Sequence, residues 1–318
     1  MNTLPVTVLM PAYNAENYIT EAIRSVLTQS FTDFELLIIN NSSTDNTVDK
    51  ILQFDDPRIR LIEEPERGVG FALNTGLREA KGEFIARFDA DDVCYPDRLR
   101  IQYDFMKNNP DYILTGSEAD YMDMNGEYVF TLKYKAYTDT EIRNLDSSVC
   151  PFSHVTVMYK KNEVNRIGGY DTHAHTFEDH LLWLKIIHLG KVCNLPQSWV
   201  KVRFNPESVT IDEKWRGKAF IQLKYDCIRD GRITPETGER LLEILKKQDT
   251  QRLKKGAYYS LIAKKYLWDN YQPVKARWNL GRLISCYPVR PGAYLLYLAS
   301  FLPRDVINLL YRNWPKRS

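Results

Sequence analysis

The 318-residue chain is poor in residues that staple a fold or coordinate soft metals. Its five cysteines (Cys94, Cys150, Cys193, Cys227 and Cys286) lie far apart and form no C-x-x-C pair. That spacing points to a reducing compartment and argues against a zinc site. His173, His175 and His180 fall close together, but their spacing matches no zinc motif. No stretch reaches the roughly 18 to 20 apolar residues that cross a bilayer, and the longest candidate, Tyr294 to Leu302, is about half that length. Met1 runs into an apolar strand by Val6, too early for a secretory signal peptide. No G-x-G-x-x-G follows the first apolar run, which excludes a dinucleotide fingerprint there. There is no internal repeat and no low-complexity linker. These absences predict a cytoplasmic protein without a membrane span.

The net charge of +2 hides an asymmetry. From Gln251 onward there are thirteen Lys/Arg against two Asp/Glu, leaving thirty basic against thirty-nine acidic residues in the rest. An acidic body joined to a basic tail suggests a separate partner for the tail. That tail also holds eight tyrosines and the tryptophans Trp268, Trp278 and Trp314. Basic residues mixed with amphipathic aromatics suit the headgroup region of an anionic membrane. The stretches Ala293 to Leu302 and Val306 to Leu310 could lie in that interface. Nucleic acid is not an expected partner, because no recognition motif accompanies the basic residues. A helical cap on the body, or a homodimer contact, is the plainer use of the same segment.

The first hundred residues alternate buried strands with amphipathic helices. Strands are predicted at Val6–Met10, Phe34–Ile39, Arg58–Glu63 and Glu83–Phe88. Helices are predicted at Ala15–Gln29, from a Ser43 or Thr44 cap through Phe54, and at Val69–Ala80. This order implies βαβ crossovers and a mostly parallel sheet, with ligands beyond the C-terminal strand ends. Three polar clusters fall at those ends and should line one crevice: Pro11-Ala12-Tyr13-Asn14, Asn40-Asn41-Ser42-Ser43, and Asp89-Ala90-Asp91-Asp92. Further strands are predicted at Tyr112–Ser117, Tyr128–Leu132, Val155–Tyr159 and Trp199–Phe204. A helix is predicted at Glu178–Leu189, and almost wholly helical structure beyond Glu213.

The three carboxylates of Asp89 to Asp92 repel one another unless a cation neutralises them. A divalent metal completed by phosphate oxygens fits that pattern. A solvated acidic turn, with Asp92 or Asp97 capping the next helix, is the alternative. Glu178 and Asp179 open a predicted helix, where acids favour the macrodipole. That position also tends to lower the pKa of Asp179.

Pro11-Ala12-Tyr13-Asn14, Ser43-Thr44-Asp45, Gly76 with Ala80-Lys81-Gly82-Glu83, and Asp89 to Asp92 occur in this order. Gly168-Gly169-Tyr170-Asp171 and Phe177-Glu178-Asp179-His180 follow. The series resembles glycosyltransferase family 2 of the GT-A fold over roughly residues 4 to 205. The resemblance implies a Rossmann-like α/β domain, a mostly parallel mixed sheet flanked by helices, with a helical C-terminal extension. The expected division is a catalytic domain at 1–212, with a nucleotide-binding half at 1–109 and an acceptor-binding half at 110–212, followed by a helical region at 213–318.

The resemblance also implies roles. Asp91 would hold Mn2+ or Mg2+ at the donor diphosphate, with Asp89 near the ribose and metal and His154 near the metal and diphosphate. Pro11, Tyr13 and Asn14 would wall the nucleotide. Asn40 would meet the base in place of the family's aspartate, an amide being able to both donate and accept. Arg67 could approach the base or a phosphate, or stand only as a surface arginine. Asp179 would be the base that deprotonates the acceptor, with Glu178 beside it. The expected reaction is inverting transfer from a nucleotide-sugar, UDP first, to a lipid-linked saccharide at the inner face of the cell membrane. A sugar-1-phosphate nucleotidyltransferase, or a non-catalytic nucleotide-binding scaffold, is the alternative.

Overall fold

The computed structural model describes residues 4–208, 211, 213–247 and 250–313. Met1, Trp314 and the expected domain limits 1, 212 and 318 lie outside the described residues. The chain divides into two compact units, the first formed by Met1–Asp120, Leu132–Val202 and Ala219–Leu242.

In the first unit β1 (Leu4–Ala12), α1 (Ile19–Leu27), β2 (Phe34–Asn40), α2 (Thr47–Ile51), β3 (Ile59–Glu63), α3 (Val69–Glu79) and β4 (Gly82–Arg87) follow one another. Next come β5 (Val93–Cys94), α4 (Arg98–Asn108) and β6 (Tyr112–Met122). After β7 (Tyr128–Leu132), of which all but Leu132 belongs to the second unit, the chain forms α5 (Asp139–Arg143), a 3-10 turn at His154–Thr156, β8 (Met158–Lys160) and α6 (Lys161–Arg166). Then follow α7 (Glu178–Ile186), β9 (Lys191–Arg203), α8 (Lys218–Asp230) and α9 (Pro235–Lys246). The strand order is β3-β2-β1-β4-β8-β6-β9-β5, with β7 paired to β6. The first four strands are parallel, whereas β8 runs antiparallel to β4 and β6.

Side chains on a strand alternate between faces, so apolar runs such as Val6–Met10 supply two cores. Val6, Val8 and Met10 pack with Ile19, Ile23 and Val26 of α1. Leu9, Leu37 and Ile39 pack with Leu73 and Leu77 of α3 and Trp183 of α7. The result is a three-layer α/β/α unit. Gly76 lets α3 lie close to the sheet, since a Cβ there would stand 2.1 Å from Leu9 Cδ1.

Several local expectations are corrected. The helix after β2 starts at Thr47, and Asp45 rather than Ser43 or Thr44 holds its start, accepting from the Thr47 N–H at 3.0 Å. Asp97 precedes α4 without a capping bond, because its carboxylate takes the Ser30 hydroxyl at 2.6 Å. Val155 and Thr156 belong to a 3-10 turn, so the strand predicted from Val155 begins only at Met158. The last strand begins at Lys191 rather than Trp199. The segment Ala219–Leu242, expected with the helical C-terminal region, clusters with the first unit.

The second unit consists of Tyr121–Thr131, Arg203–Lys218 and Glu243–Ser318. Its described helices are α10 (Thr250–Trp268), α11 (Pro273–Cys286), α12 (Pro291–Ala299) and α13 (Arg304–Asn313). Tyr258, Ile262, Tyr266, Leu280, Leu296 and Ile307 are among its buried residues. Prolines open α11 and α12, where a missing N–H costs nothing.

Candidate active site

Register places the polar clusters together. Ala12 pairs with Asn40 and Asn40 with Glu63, so β1, β2 and β3 end at one level, while β4 ends at Arg87 opposite Leu9 and Asp89 to Asp92 follow it. β1 lies between β2, which follows it in the chain, and β4, which follows only after a crossover. That reversal is a topological switch point, where ligands bind in open α/β sheets. Pro11 fits because pairing with β4 has ended. Leu9 C=O accepts Phe88 N–H, and Pro11, two residues on, faces the same side beyond the last partner.

The loops are bonded to one another. Asn14, at a left-handed φ of 47°, accepts from Thr44 N–H at 2.8 Å, and its own N–H donates to Ser43 Oγ at 3.1 Å. Asn41 donates to the Glu64 and Glu66 carbonyls and accepts from Gly68 N–H. Tyr13 is 51% exposed, and the Arg67 guanidinium lies 5.8 Å from its ring centroid. Asn40 is buried, donating to Glu63 Oε2 at 2.6 Å and accepting from Ser43 N–H at 3.2 Å. The residues expected to wall a nucleotide therefore occupy one end of the sheet.

At the end of β4, Asp89, Asp91 and Asp92 each offer a carboxylate oxygen, all within 4.8 Å of one another. The three acids singled out in the sequence lie together, with Asp92 buried. Hard oxygen donors alone suit Mg2+ or Mn2+ rather than a soft metal. His154, expected near the metal, is not one of these three. Its Nε2 lies 2.9 Å from the Tyr170 hydroxyl and its Nδ1 4.0 Å from Glu178 Oε1. Burial, reinforced by the charge of Arg87, holds its pKa well below the ordinary imidazole value.

Arg87 was not singled out in the sequence. It is buried, ion-paired with Asp89, and its carbonyl accepts from the buried Arg98 guanidinium at 2.7 Å. Burial opposes its charge, but the pull of Asp89 and Glu178 keeps its pKa above the usual value. Tyr170 is also buried, its hydroxyl 3.1 Å from that of Tyr159.

Glu178 and Asp179 occupy the first turn of α7. Glu178 is buried, and its Oε2 has no hydrogen-bond partner. Burial, then repulsion from Asp179, pushes its pKa up to about 8. Asp179 is partly exposed and accepts from His180 N–H at 2.7 Å. Its pKa is raised, not lowered as its helix position suggested, because burial outweighs that bond and the charges of Lys224 and Arg87. Lys224 comes from α8, with Nζ 5.4 Å from the Phe177 ring centroid at the start of α7. No sequence motif marks it. His180 Nε2 lies 2.8 Å from the Ser147 carbonyl oxygen, a structural contact.

A family model described as glycosyl transferase family 2 matches residues 7–168, just over half of the chain. The chain belongs to glycosyl transferase family 2. This glycosyltransferase is 33% identical over 239 residues to the UDP-Glc:alpha-D-GlcNAc-diphosphoundecaprenol beta-1,3-glucosyltransferase WfgD of Escherichia coli, covering 72% of this chain and 87% of that one. It is 28% identical over 238 residues to the amylovoran biosynthesis glycosyltransferase AmsE of Erwinia amylovora, covering 73% of this chain and 87% of that one. Two solved structures share the GT-A fold. TarS of S. aureus, in complex with UDP-GlcNAc, aligns at a TM-score of 0.54 and 17% identity, over 97% of this chain and 92% of that one. The mannosyltransferase PcManGT of Pyrobaculum calidifontis, in complex with GDP-Man and Mn2+, aligns at 0.54 and 22% identity, over 98% and 88%. Among the described residues, no helix is long and apolar enough to cross a membrane.

Proposed function

We propose that this glycosyltransferase moves a sugar from a UDP-sugar, with inversion, to a lipid-linked saccharide during surface-polysaccharide assembly. The observation that carries the proposal is the pairing of two acid sets with different environments. Asp89, Asp91 and Asp92 gather at the switch point, while Glu178 and Asp179 are desolvated at the start of α7. The named reaction of WfgD, glucosyl transfer from UDP-Glc to a diphosphoundecaprenol-linked sugar, supports the donor and acceptor classes.

Asp179 takes the proton from the acceptor hydroxyl as that oxygen attacks the anomeric carbon and the bond to the nucleotide diphosphate breaks. Its raised pKa makes it a stronger base than an ordinary aspartate, and the nearby charges of Lys224 and Arg87 favour its ionised form. Glu178, neutral up to about pH 8, can donate a hydrogen bond beside it. A divalent cation on Asp89, Asp91 and Asp92 would supply counter-charge to the departing diphosphate. Tyr13 and Arg67 offer a face for the base.

The acceptor's lipid places the enzyme at the inner face of the cell membrane. Tyr294, Leu295 and Leu298 line a shallow apolar groove with Pro288, Val289 and Pro291. Phe301 is 63% exposed nearby in the chain. From 273 to 313 there are six Lys/Arg and only Asp305 as an acid. An apolar surface within a basic segment matches an anionic bilayer. Use of that surface by a second copy of the chain is the competing outcome. The deciding assay measures UDP release from UDP-sugars with Mg2+ or Mn2+ and diphosphoundecaprenol-linked acceptors. Release from one donor that is lost in Asp91→Asn and Asp179→Asn supports the reading. Turnover only with a donor of another base, or equal turnover in those variants, overturns it.

A further inference from the structure

Glu63 ends β3 with an exposed side chain, and its carboxylate is tied to one partner with fixed polarity. Asn40 is its register partner on β2, and Asn40 Nδ2 donates to Glu63 Oε2 at 2.6 Å. The polarity of that amide is set by its other end, since Asn40 Oδ1 accepts from Ser43 N–H at 3.2 Å. Asn40 therefore presents a donor to Glu63, and the remaining carboxylate lone pairs face outward as acceptors. Tyr13 from the loop after β1 and Arg67 from the loop after β3 approach each other on either side of β2 in the strand order. β3 stands three strand spacings from β4, about 14 Å from the end that carries Asp89 to Asp92. That is the reach of a nucleoside diphosphate laid from its phosphates to the edge of its base.

We infer that Glu63, oriented by Asn40, reads the donor base by accepting its ring N–H. Uracil and thymine offer N3–H and guanine offers N1–H, whereas cytosine N3 and adenine N1 are acceptors that a carboxylate repels. Glu63 is thus a specificity-determining residue for bases with a ring donor, and it rests on the nucleotide-sugar reading above.

The polarity can be reversed twice. In Glu63→Gln the side-chain oxygen must face Asn40 Nδ2, which turns the amide NH2 toward the base and favours cytosine. In the double variant, Asn40→Asp with Glu63→Gln, the new carboxylate on β2 accepts from that NH2, so the glutamine oxygen on β3 faces the base again. The experiment is calorimetric titration of the full chain with UDP, dTDP, GDP, CDP and ADP in Mg2+. Expected are a shift in the CDP-to-UDP affinity ratio of about tenfold or more toward CDP in Glu63→Gln, and its return in the double variant. An unchanged ratio in Glu63→Gln, or equal weakening of all five nucleotides, overturns the inference while leaving the donor reading intact. Failure of wild type to bind any of the five removes the donor reading itself.

Discussion

The two units treat apolar surface in opposite ways. In the first, the large apolar side chains fill two cores, and the crevice is lined by amides, carboxylates and a guanidinium. In the second, a modest core is accompanied by an apolar exterior. Thirteen of the eighteen exposed large apolar side chains among the described residues belong to it. A soluble unit has little reason to keep Val289 at 92%, Leu298 at 66% and Phe301 at 63% exposure unless something else covers them. One unit gathers charged groups at the end of its sheet, and the other leaves apolar side chains exposed.

If that division holds, the two activities separate by mutation. The largest effect is expected from Asp179→Asn, which should cut kcat by about 10²- to 10⁴-fold as a lost general base. Nucleotide affinity and sedimentation with anionic vesicles should stay unchanged. The mirror experiment is Leu295→Glu with Leu298→Glu, which should weaken vesicle binding by about tenfold or more. Transfer to a short soluble acceptor should survive. Loss of both functions in either variant would break the comparison.

A smaller effect tests the environment of Glu178. Its folded pKa of about 8 lies above its ordinary 4.5, so the folded state holds a proton that the unfolded chain releases. Its contribution to stability is complete below about pH 4.5 and is lost as pH rises through about 8. Glu178→Gln should flatten the fall in Tm across that window, read by thermal melts in a pH series. The smallest effect is expected at Gly76→Ala. The added methyl would meet Leu9 Cδ1 at 2.1 Å in a filled core, so a loss of about 1–2 kcal/mol should appear in denaturant unfolding with the crevice chemistry intact.

The parallel half of the sheet was legible because each buried strand ends in a polar cluster. The alternation of Val6 to Met10 with the helical spacing of Ile19, Ile23 and Val26 needs only local periodicity. The shared crevice followed from that order. What stayed illegible depends on partners distant in sequence. Arg87 reads as one residue of a strand until its Asp89 and Glu178 neighbours are known. Lys224 sits in a half-buried helix with no motif, yet its charge is felt at Asp179. The direction of the Asp179 shift was misjudged because a helix start is visible in sequence and desolvation is not. The resemblance puts His154 near the metal but does not reveal that its ring nitrogens turn toward Tyr170 and Glu178.

Arg87 is a single buried cation shared by two sets of acids. It pairs with Asp89 after β4 and lowers the pKa of Glu178 at the start of α7, while Asp89 itself raises it. Whatever withdraws the charge of Asp89 leaves Glu178 under the field of Arg87 with less opposition, and its proton becomes easier to lose. Thermodynamic reciprocity requires the converse: ionising Glu178 must alter the interaction of a charge at Asp89 by the same free energy. The Asp89 carboxylate and the Glu178 proton are thereby linked through one guanidinium.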